Sequence, residues 1–417
     1  MWVENGRSLF STHTLYSLRL KWQIGLTLEE NGDALHIDLP PYLQARKRGI
    51  LTGSYSLTEG AGQPGINVKA VIYHAHDHIA VEQRPVPAIN EHELLVRVHG
   101  CGLCGSDILK ITRQAPAPVI LGHELVGTIV AQGRDVDTFH VGERVVVAHH
   151  VPCGECHYCR RGNVSMCASF KTSNIDPCGL AEYIRVPAPH VQQATLVLPS
   201  PLSDEEGSFT EPLACCVRAV RRTPLHDGDT LLVVGLGSIG LLMLQAIKAL
   251  SKRAGLNCQV YGVDLLDERL QRARTLGADE VFHAPSEPEG LRNLLSPLTA
   301  GRGADTVLLT VPGIQPFQQG LASLRAGGTL HIFAAHAGTV PFEPELVYQR
   351  ELTLLSTYSS SPEDLRIALD LLSTREVRVA ELISHRLPLE RFHEGLLLMQ
   401  QRSALKIFFQ IAGETNV

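Results

Sequence analysis

Apolar and polar positions change rhythm along the chain, and the changes divide it into four stretches. In residues 1–67, Leu18, Leu20, Trp22, Ile24, Leu26 and Leu28 alternate with mostly polar neighbours, a period of two that predicts a strand. Leu35, Ile37 and Leu39 alternate in the same way before the segment runs into Gly60, Gly62, Pro64 and Gly65. A small β appendage, a poorly ordered extension, and a gene start assigned upstream of a true beginning near Val68 all fit this stretch. Residues 68–215 carry short β runs at 68–73, 94–98, 126–131 and 144–148, punctuated by Gly and Pro, which predicts a β-rich unit. In residues 216–360, apolar strands at 231–234, 260–263, 307–311 and 329–333 alternate with helical segments. That is the βαβ pattern of a doubly wound parallel sheet, so the fold class is α/β. Residues 361–417 have helical segments at 364–372 and 390–400 and an apolar strand at 406–411.

Composition narrows the function classes. A length of 417 residues suggests two to three domains, at about 100–200 residues each. With 37 Lys and Arg against 43 Asp and Glu, the net charge is −6; no basic run forms a patch, so nucleic acid is not an expected partner. The 44% hydrophobic and 19% charged residues exclude a disordered chain. The longest apolar run, 231–247, is broken by Gly235, Gly237 and Gly240 and reads as strand, turn and helix, not as a membrane span. No basic region with an apolar block and a cleavage site opens the chain. A cytoplasmic location is therefore expected, and the ten cysteines are expected to be metal ligands or free thiols.

Four of those cysteines have a telling spacing. Cys153, Cys156, Cys159 and Cys167 form C-x2-C-x2-C-x7-C, which matches a closed tetrahedral zinc shell with no position open to substrate. Such a site staples a loop, here about 152–168, and Pro152, Gly154 and Gly162 suit its turns. His157 is expected to be solvated.

Gly235-Leu236-Gly237-Ser238-Ile239-Gly240 follows the strand at 231–234 and opens the helical segment at 241–250, the context that gives G-x-G-x-x-G its meaning. Gly235 makes the tight turn, Gly237 lets backbone approach a pyrophosphate, and Gly240 lets helix and strand pack. The pyrophosphate sits at the helix N-terminus. Asp264 ends the next strand, where a carboxylate accepts from ribose hydroxyls of NAD and repels the 2′-phosphate of NADP. Arg269 lies five positions on, near the adenine edge. NAD is expected over NADP.

A third set offers an open metal site. Cys104, His123 with Glu124, and Glu211 would supply a thiolate, an imidazole and carboxylates, leaving a position for a water or an alcohol oxygen. Singly, each has a plain structural reading, and their distance along the chain leaves convergence open. Cys215, four residues after Glu211, is a rival ligand on the same helical face.

The segment 101–107, the Gly122-His123-Glu124 triplet, the four-cysteine lobe and the glycine turn occur in that order over nearly the whole chain after residue 67. In this the sequence resembles the zinc-containing medium-chain dehydrogenase/reductase superfamily. Glu211-Pro212-Leu213-Ala214 narrows the resemblance to the sorbitol (L-iditol 2-)dehydrogenase and threonine dehydrogenase-like branch. The resemblance implies a GroES-like catalytic domain at 68–215, a Rossmann domain at 216–360, a tail at 361–417 returning to the first domain, and an active site in the cleft between the two. It has no counterpart for residues 1–67. It implies that Cys104 and His123 hold a catalytic zinc. Glu124 is a ligand in some members and a neighbour in others, and Glu211 stands at the third-ligand position or holds the metal-bound water. Asp107 resembles the carboxylate that orients the ligand histidine. Ser106 matches the hydroxyl that passes on the substrate proton. Two departures stand out. Leu109 occupies the place where many relatives have the outer histidine of the proton relay, so the proton needs another route. Cys178 replaces the first of two glycines, read as a packing change with no effect on chemistry.

The expected reaction is reversible oxidation of a secondary alcohol, a polyol or a related compound, to a ketone with hydride transfer to NAD+. Two zinc ions per chain are expected, one catalytic and one structural. A threonine-type amino alcohol is the alternative substrate, for which Lys110 and Arg113 are weak candidates as a carboxylate-binding cation. A non-catalytic NAD-binding module and a zinc-independent reductase are the rival readings. The loop Thr357-Tyr358-Ser359 and His336 are placed near the cofactor, and His149 and His150 near the cleft. His74, His76 and His78 read as polar side chains at a hairpin. A homo-oligomer, dimer or tetramer, is expected by the resemblance, with no membrane partner.

Overall fold

The computed structural model describes residues 67–75, 78–113, 118–287, 289–336 and 338–411. The alternating segments at 18–28 and 35–39, and His76, lie outside the described residues. All described residues belong to one unit, 56–417.

The β-rich half contains β1 (Asn67–Ala75), β2 (His78–Pro85), β3 (Leu94–Gly102), β4 (Val119–Ile120), β5 (Glu124–Gln132), β6 (Arg144–Val147), β7 (Tyr183–Val186) and β8 (Thr195–Val197). The parallel half contains β9 (Thr230–Val234), β10 (Gln259–Asp264), β11 (Glu280–His283), β12 (Ala304–Leu309), β13 (Leu324–Ile332) and β14 (Thr353–Ser356). The tail adds β15 (His385–Pro388) and β16 (Ile407–Gln410).

The apolar runs of the second half become central strands. β9 is buried along its full length, as a strand with helices over both faces must be. The six parallel strands run in the order β11-β10-β9-β12-β13-β14. β9 and β12 are neighbours although β10 and β11 intervene in sequence, so the strand order reverses beside β9. Ligands bind at such a switch point, off the carboxyl ends of the strands.

In the first half, β3 alternates buried and half-buried residues along its first six positions, the signature of a strand with one core face. It pairs antiparallel with β5 and β7, and the sheet continues through β6 to β8. β16 shares with β7 the edge of β3 opposite β5, with Phe408 opposite Gly102 and Phe409 opposite Cys101. Close approach there needs glycine: a Cβ on Gly100 would stand 2.1 Å from Phe408 Cζ. A separate three-stranded sheet has the order β2-β1-β4.

The helix Thr210–Arg222 links the halves and is buried along most of its length. It packs on helices Ser238–Arg253 and Pro362–Ser373. The latter starts at a capping box, in which Ser361 Oγ accepts from Asp364 N and Asp364 Oδ2 accepts from Ser361 N. No helix among the described residues is long and apolar enough to cross a membrane.

Candidate active site

The four-cysteine lobe is held by turns. Gly154 and Gly162 have φ of +80° and +74°, and 3-10 turns span Cys159–Arg161 and Val164–Met166. The four sulfurs all lie within 4.8 Å of one another. Cys153–Cys159, Cys156–Cys159 and Cys153–Cys167 are 4.0, 3.5 and 3.5 Å apart. A tetrahedron with zinc–sulfur bonds of about 2.3 Å has edges of about 3.8 Å, so this donor set fits a zinc ion. All ten cysteines are free of disulfides. Burial works against charge on Cys167, but N–H groups of Cys153 and Phe170 outweigh it and bring this thiol to about 6.

The second cluster forms where three segments meet. Cys104 caps the helix Gly105–Thr112: its Sγ accepts from Ser106 N at 3.5 Å, and Asp107 Oδ2 accepts from Cys104 N at 3.3 Å. Gly122, at φ +91°, turns the chain into His123 and Glu124; a Cβ there would stand 2.7 Å from Leu180 N. Cys104, His123 and Glu124 bring their ligand atoms within 4.8 Å of one another. His123 Nδ1 lies 3.5 Å from Asp107 Oδ1, and His123 Nε2 lies 3.3 Å from Ser106 Oγ. Asp107 is fully buried and is held far below the usual carboxylate range. Burial opposes that shift, while His123, Lys110 and the Gly122 N–H outweigh it. His123 is pulled up by Asp107 and Cys104 against burial.

Glu124 forms an ion pair with Lys406 through Oε2, yet neither carboxylate oxygen has a well-formed hydrogen bond, and both are buried. An under-satisfied buried carboxylate beside a thiol and an imidazole suits a metal ion of zinc's preferences. Glu211, at the first turn of Thr210–Arg222, stands outside this three-group cluster and accepts from Cys215 Sγ at 3.6 Å. Burial raises Glu211 above its usual range; His123 and Lys406 oppose this and Glu124 adds to it. All of these groups are within electrostatic reach of one another.

Lys406 was not singled out by sequence reasoning. Its one signal was a lone cation at the head of an apolar run. It is 4% exposed, and burial is outweighed by Glu124, Cys104 and Glu211, so it stays charged. His149 also packs here, its ring 4.5 Å from His123 and 3.8 Å from His150, with Nδ1 buried and unpartnered. His150 Nδ1 lies 2.5 Å from Ser173 O. Lys110 lies 3.7 Å from Asp107. Leu109 is partly exposed and offers no relay group. Cys178 Sγ donates to Gly122 O at 2.7 Å, so it braces the turn before His123 and does more than fill space.

The glycine turn is built at the end of β9. Gly235, at φ +93°, donates to Val263 O at 2.8 Å, and a Cβ on it would meet Val311 Cγ1 at 2.3 Å. A Cβ on Gly240 would meet Gly235 O at 1.8 Å. A Cβ on Gly237 meets nothing closer than Arg269 Nη1 at 4.0 Å. Gly237 is thus not needed for internal packing, and the space over it fits a pyrophosphate. Ser238 and Ile239 follow as the first half-buried residues of Ser238–Arg253. Asp264 Oδ2 accepts from Leu236 N at 2.7 Å, and its Oδ1 accepts from Leu265 N and Leu266 N at 2.8 and 3.0 Å. Arg269 Nη1 lies 3.5 Å from Asp264.

Thr357 Oγ1 lies 2.9 Å from His331 Nε2, while Tyr358 is exposed under Lys171 Nζ, 5.0 Å from the ring centre. His336 Nδ1 accepts from Gly313 N. His74 bonds Glu82 and stacks on His78.

Residues 90–196 match the family model of the alcohol dehydrogenase GroES-like domain, and residues 238–374 match that of the zinc-binding dehydrogenases. A sorbitol dehydrogenase of Halalkalibacterium halodurans is 31% identical over 80% of this chain and 96% of its own length. The L-threonine 3-dehydrogenase of Bacillus subtilis is 30% identical over 78% and 92%. Among solved structures, a zinc-binding dehydrogenase from Sinorhizobium meliloti bound to NADP superposes with a TM-score of 0.74 at 28% identity, covering 83% of this chain and 99% of that one.

Proposed function

The chain belongs to the zinc-dependent medium-chain dehydrogenase/reductase superfamily, in its sorbitol and threonine dehydrogenase-like branch, and on that premise we propose how its residues oxidise a polyol. The protein is a zinc-dependent alcohol oxidoreductase using NAD(P). The observation that carries the reading of the site is the meeting of Cys104, His123 and Glu124 beside the Ser106 hydroxyl.

Cys104 and His123 hold the catalytic zinc, with Glu124 or Glu211 completing its shell, and Cys153, Cys156, Cys159 and Cys167 hold the structural one. When bound, the catalytic zinc supplies Lewis-acid polarisation of the substrate hydroxyl, and NAD+ supplies the hydride acceptor. Ser106 takes the hydroxyl proton at Oγ. Asp107 fixes the ring of His123 through Nδ1. With leucine at position 109, the proton leaves Ser106 through water or a ribose hydroxyl. Gly235, Gly237, Ser238, Ile239 and Gly240 cradle the pyrophosphate. Asp264 takes a ribose hydroxyl through the one lone-pair site its three backbone bonds leave free, and Arg269 covers the adenosine side with exposed Leu265 and Leu266. This favours NAD over NADP.

A polyol is favoured over an amino acid because both lysines nearest the site are committed, Lys110 to Asp107 and Lys406 to Glu124. A homo-oligomer, dimer or tetramer, is supported by β14, which among the described residues pairs only with β13 and carries the exposed Leu354. Cytoplasmic residence is supported by ten cysteines free of disulfides, a state kept in a reducing compartment.

The test is zinc content per chain with NAD-linked turnover on a polyol, threonine and simple secondary alcohols, for wild type and Cys104→Ala. The expected outcome is two zinc ions falling to one, loss of turnover, and highest kcat/KM on the polyol. One zinc in both proteins with no turnover would sink the reading and leave an NAD-binding module.

A further inference from the structure

A hollow of about 540 Å³ lies away from the Cys104–His123–Glu124 cluster, between the four-cysteine lobe, which contributes Cys159 to its lining, and the helices Thr210–Arg222 and Pro362–Ser373. Four arginines line it, Arg218, Arg221, Arg222 and Arg366, with two carboxylates, Glu363 and Asp364. Arg222 ends a helix whose first turn carries Glu211. At about 1.5 Å per residue, the eleven positions between them put Arg222 roughly 16 Å along the axis from the metal side.

The charges do not balance. Arg221 donates to Asp364 Oδ1 at 2.7 Å and to Glu363 Oε1 at 2.8 Å, so it engages both carboxylates. Arg218, 6% exposed, stands 3.7 Å from Asp364 and donates to Gly162 O at 2.9 Å. Burial lowers the Arg218 guanidinium and the Arg222 charge adds to that, against the pull of Asp364. Arg222 and Arg366 meet only neutral oxygens: Arg222 donates to Asn163 Oδ1 at 3.2 Å, and Arg366 to Pro362 O at 3.4 Å. Neither forms an ion pair among the described residues, and both are exposed on the wall of the same hollow. Guanidinium forks match phosphate oxygens pairwise, and like charges gathered in one concavity are relieved by an anion. The volume suits a small phosphorylated metabolite, since ligand pockets run to about 300–1,000 Å³.

We propose that this hollow binds a phosphate dianion, free or as the monoester of a small polyhydroxy compound, held by Arg222 and Arg366 with Arg218 behind them. The site is independent of the reading of the reaction centre. The rival account makes the arginines mere counter-charges, for the helix C-terminus and for the net negative charge of a zinc-loaded four-thiolate lobe.

Calorimetric titration separates the two. The zinc-loaded enzyme is saturated with NAD, which fills the pyrophosphate position, and titrated with inorganic phosphate and, separately, with a hexitol phosphate. Wild type is compared with the Arg222→Gln, Arg366→Gln double variant. We expect one saturable site that weakens as salt is raised, and is at least about tenfold weaker in the double variant while NAD affinity is unchanged. An ester that binds at least about tenfold tighter than inorganic phosphate, and responds to the variant, identifies the ester as ligand; equal affinities identify free phosphate. Ester bound at the reaction centre would not respond to these arginines. If the double variant is unstable, Arg366→Gln alone, at an exposed helix position, reads the same loss on a smaller scale. No saturable binding, or equal binding in variant and wild type, overturns the proposal.

Discussion

Ser106 is the residue on which the proton step turns. It is exposed, its hydroxyl is 3.3 Å from His123 Nε2, and its N–H is already used by Cys104 Sγ. Removing the hydroxyl therefore leaves the helix start intact. Ser106→Ala is expected to lower kcat by about 10²–10⁴, the usual weight of a positioned proton acceptor, with zinc content and NAD affinity unchanged. Steady-state kinetics with metal analysis reads this, and an unchanged kcat would move the proton step elsewhere. Cys104, Ser106 and Asp107 share one helix start, and it is the resemblance of the segment 101–107 to a family pattern, not local geometry, that draws attention to them in the sequence. Gly122 belongs to the same resemblance, and only glycine suits its φ of +91° against Leu180. Lys406 is not legible. It reaches Glu124 from the far end of the chain, and nothing in its neighbours names the carboxylate that keeps it charged. Cys178 reads as a packing change, and the structure adds what no local pattern encodes, a thiol hydrogen bond to the turn before His123.

At the level of elements, the glycine turn separates folding from binding within six residues. Gly240 stands where any Cβ collides with backbone, whereas Gly237 faces open space. Gly240→Ala is expected to cost about 1–3 kcal/mol or more of stability, because the obstacle is a carbonyl that cannot move aside. Gly237→Ala is expected to leave the melting temperature unchanged and weaken NAD at least about tenfold, because the added methyl occupies the cofactor's space. Thermal unfolding and NAD titration on the pair give the contrast, and equal melting temperatures for the two variants would refute it. The parallel strands were readable because burial on both faces demands continuous apolar runs: β9 and β10 coincide with those runs, while β12 begins three residues before its run and ends two residues short of the run's end. The small sheet β2-β1-β4 was not, since β4 has two residues and a strand that short carries no period. β16 was readable as a strand, but its pairing with β3 rests on long-range contacts that no local pattern encodes.

At the scale of the molecule, one imidazole ties three parts together. His331, on β13, is fully buried; its Nδ1 meets Thr223 Oγ1 at 2.8 Å, at the end of the linking helix, and its Nε2 meets Thr357 Oγ1 after β14. Burial, helped by the charge of Arg222, lowers His331 from 6.5 to about 4. The sign follows from proton counting. Between those two values the unfolded chain binds the proton and the folded chain does not, so stability falls as pH falls from about 6.5 to about 4, and nothing further is lost through this group below that. At pH 4.5 the loss relative to pH 7 is about 2.5 kcal/mol from His331 alone. His331→Gln keeps hydrogen-bonding capacity without a titrating group, so its stability should fall less over the same interval by about that amount, although it starts lower at pH 7. Urea unfolding of both proteins at pH 7 and 4.5 measures the difference, and every other titrating group cancels because it is common to the two. Equal losses would mean that His331 takes up its proton in the folded state over the same pH range as in the unfolded chain. The joint between the linking helix, β13 and the loop after β14 would then be held by a charged imidazole beside Arg222, an arrangement the two threonine hydroxyls could not compensate.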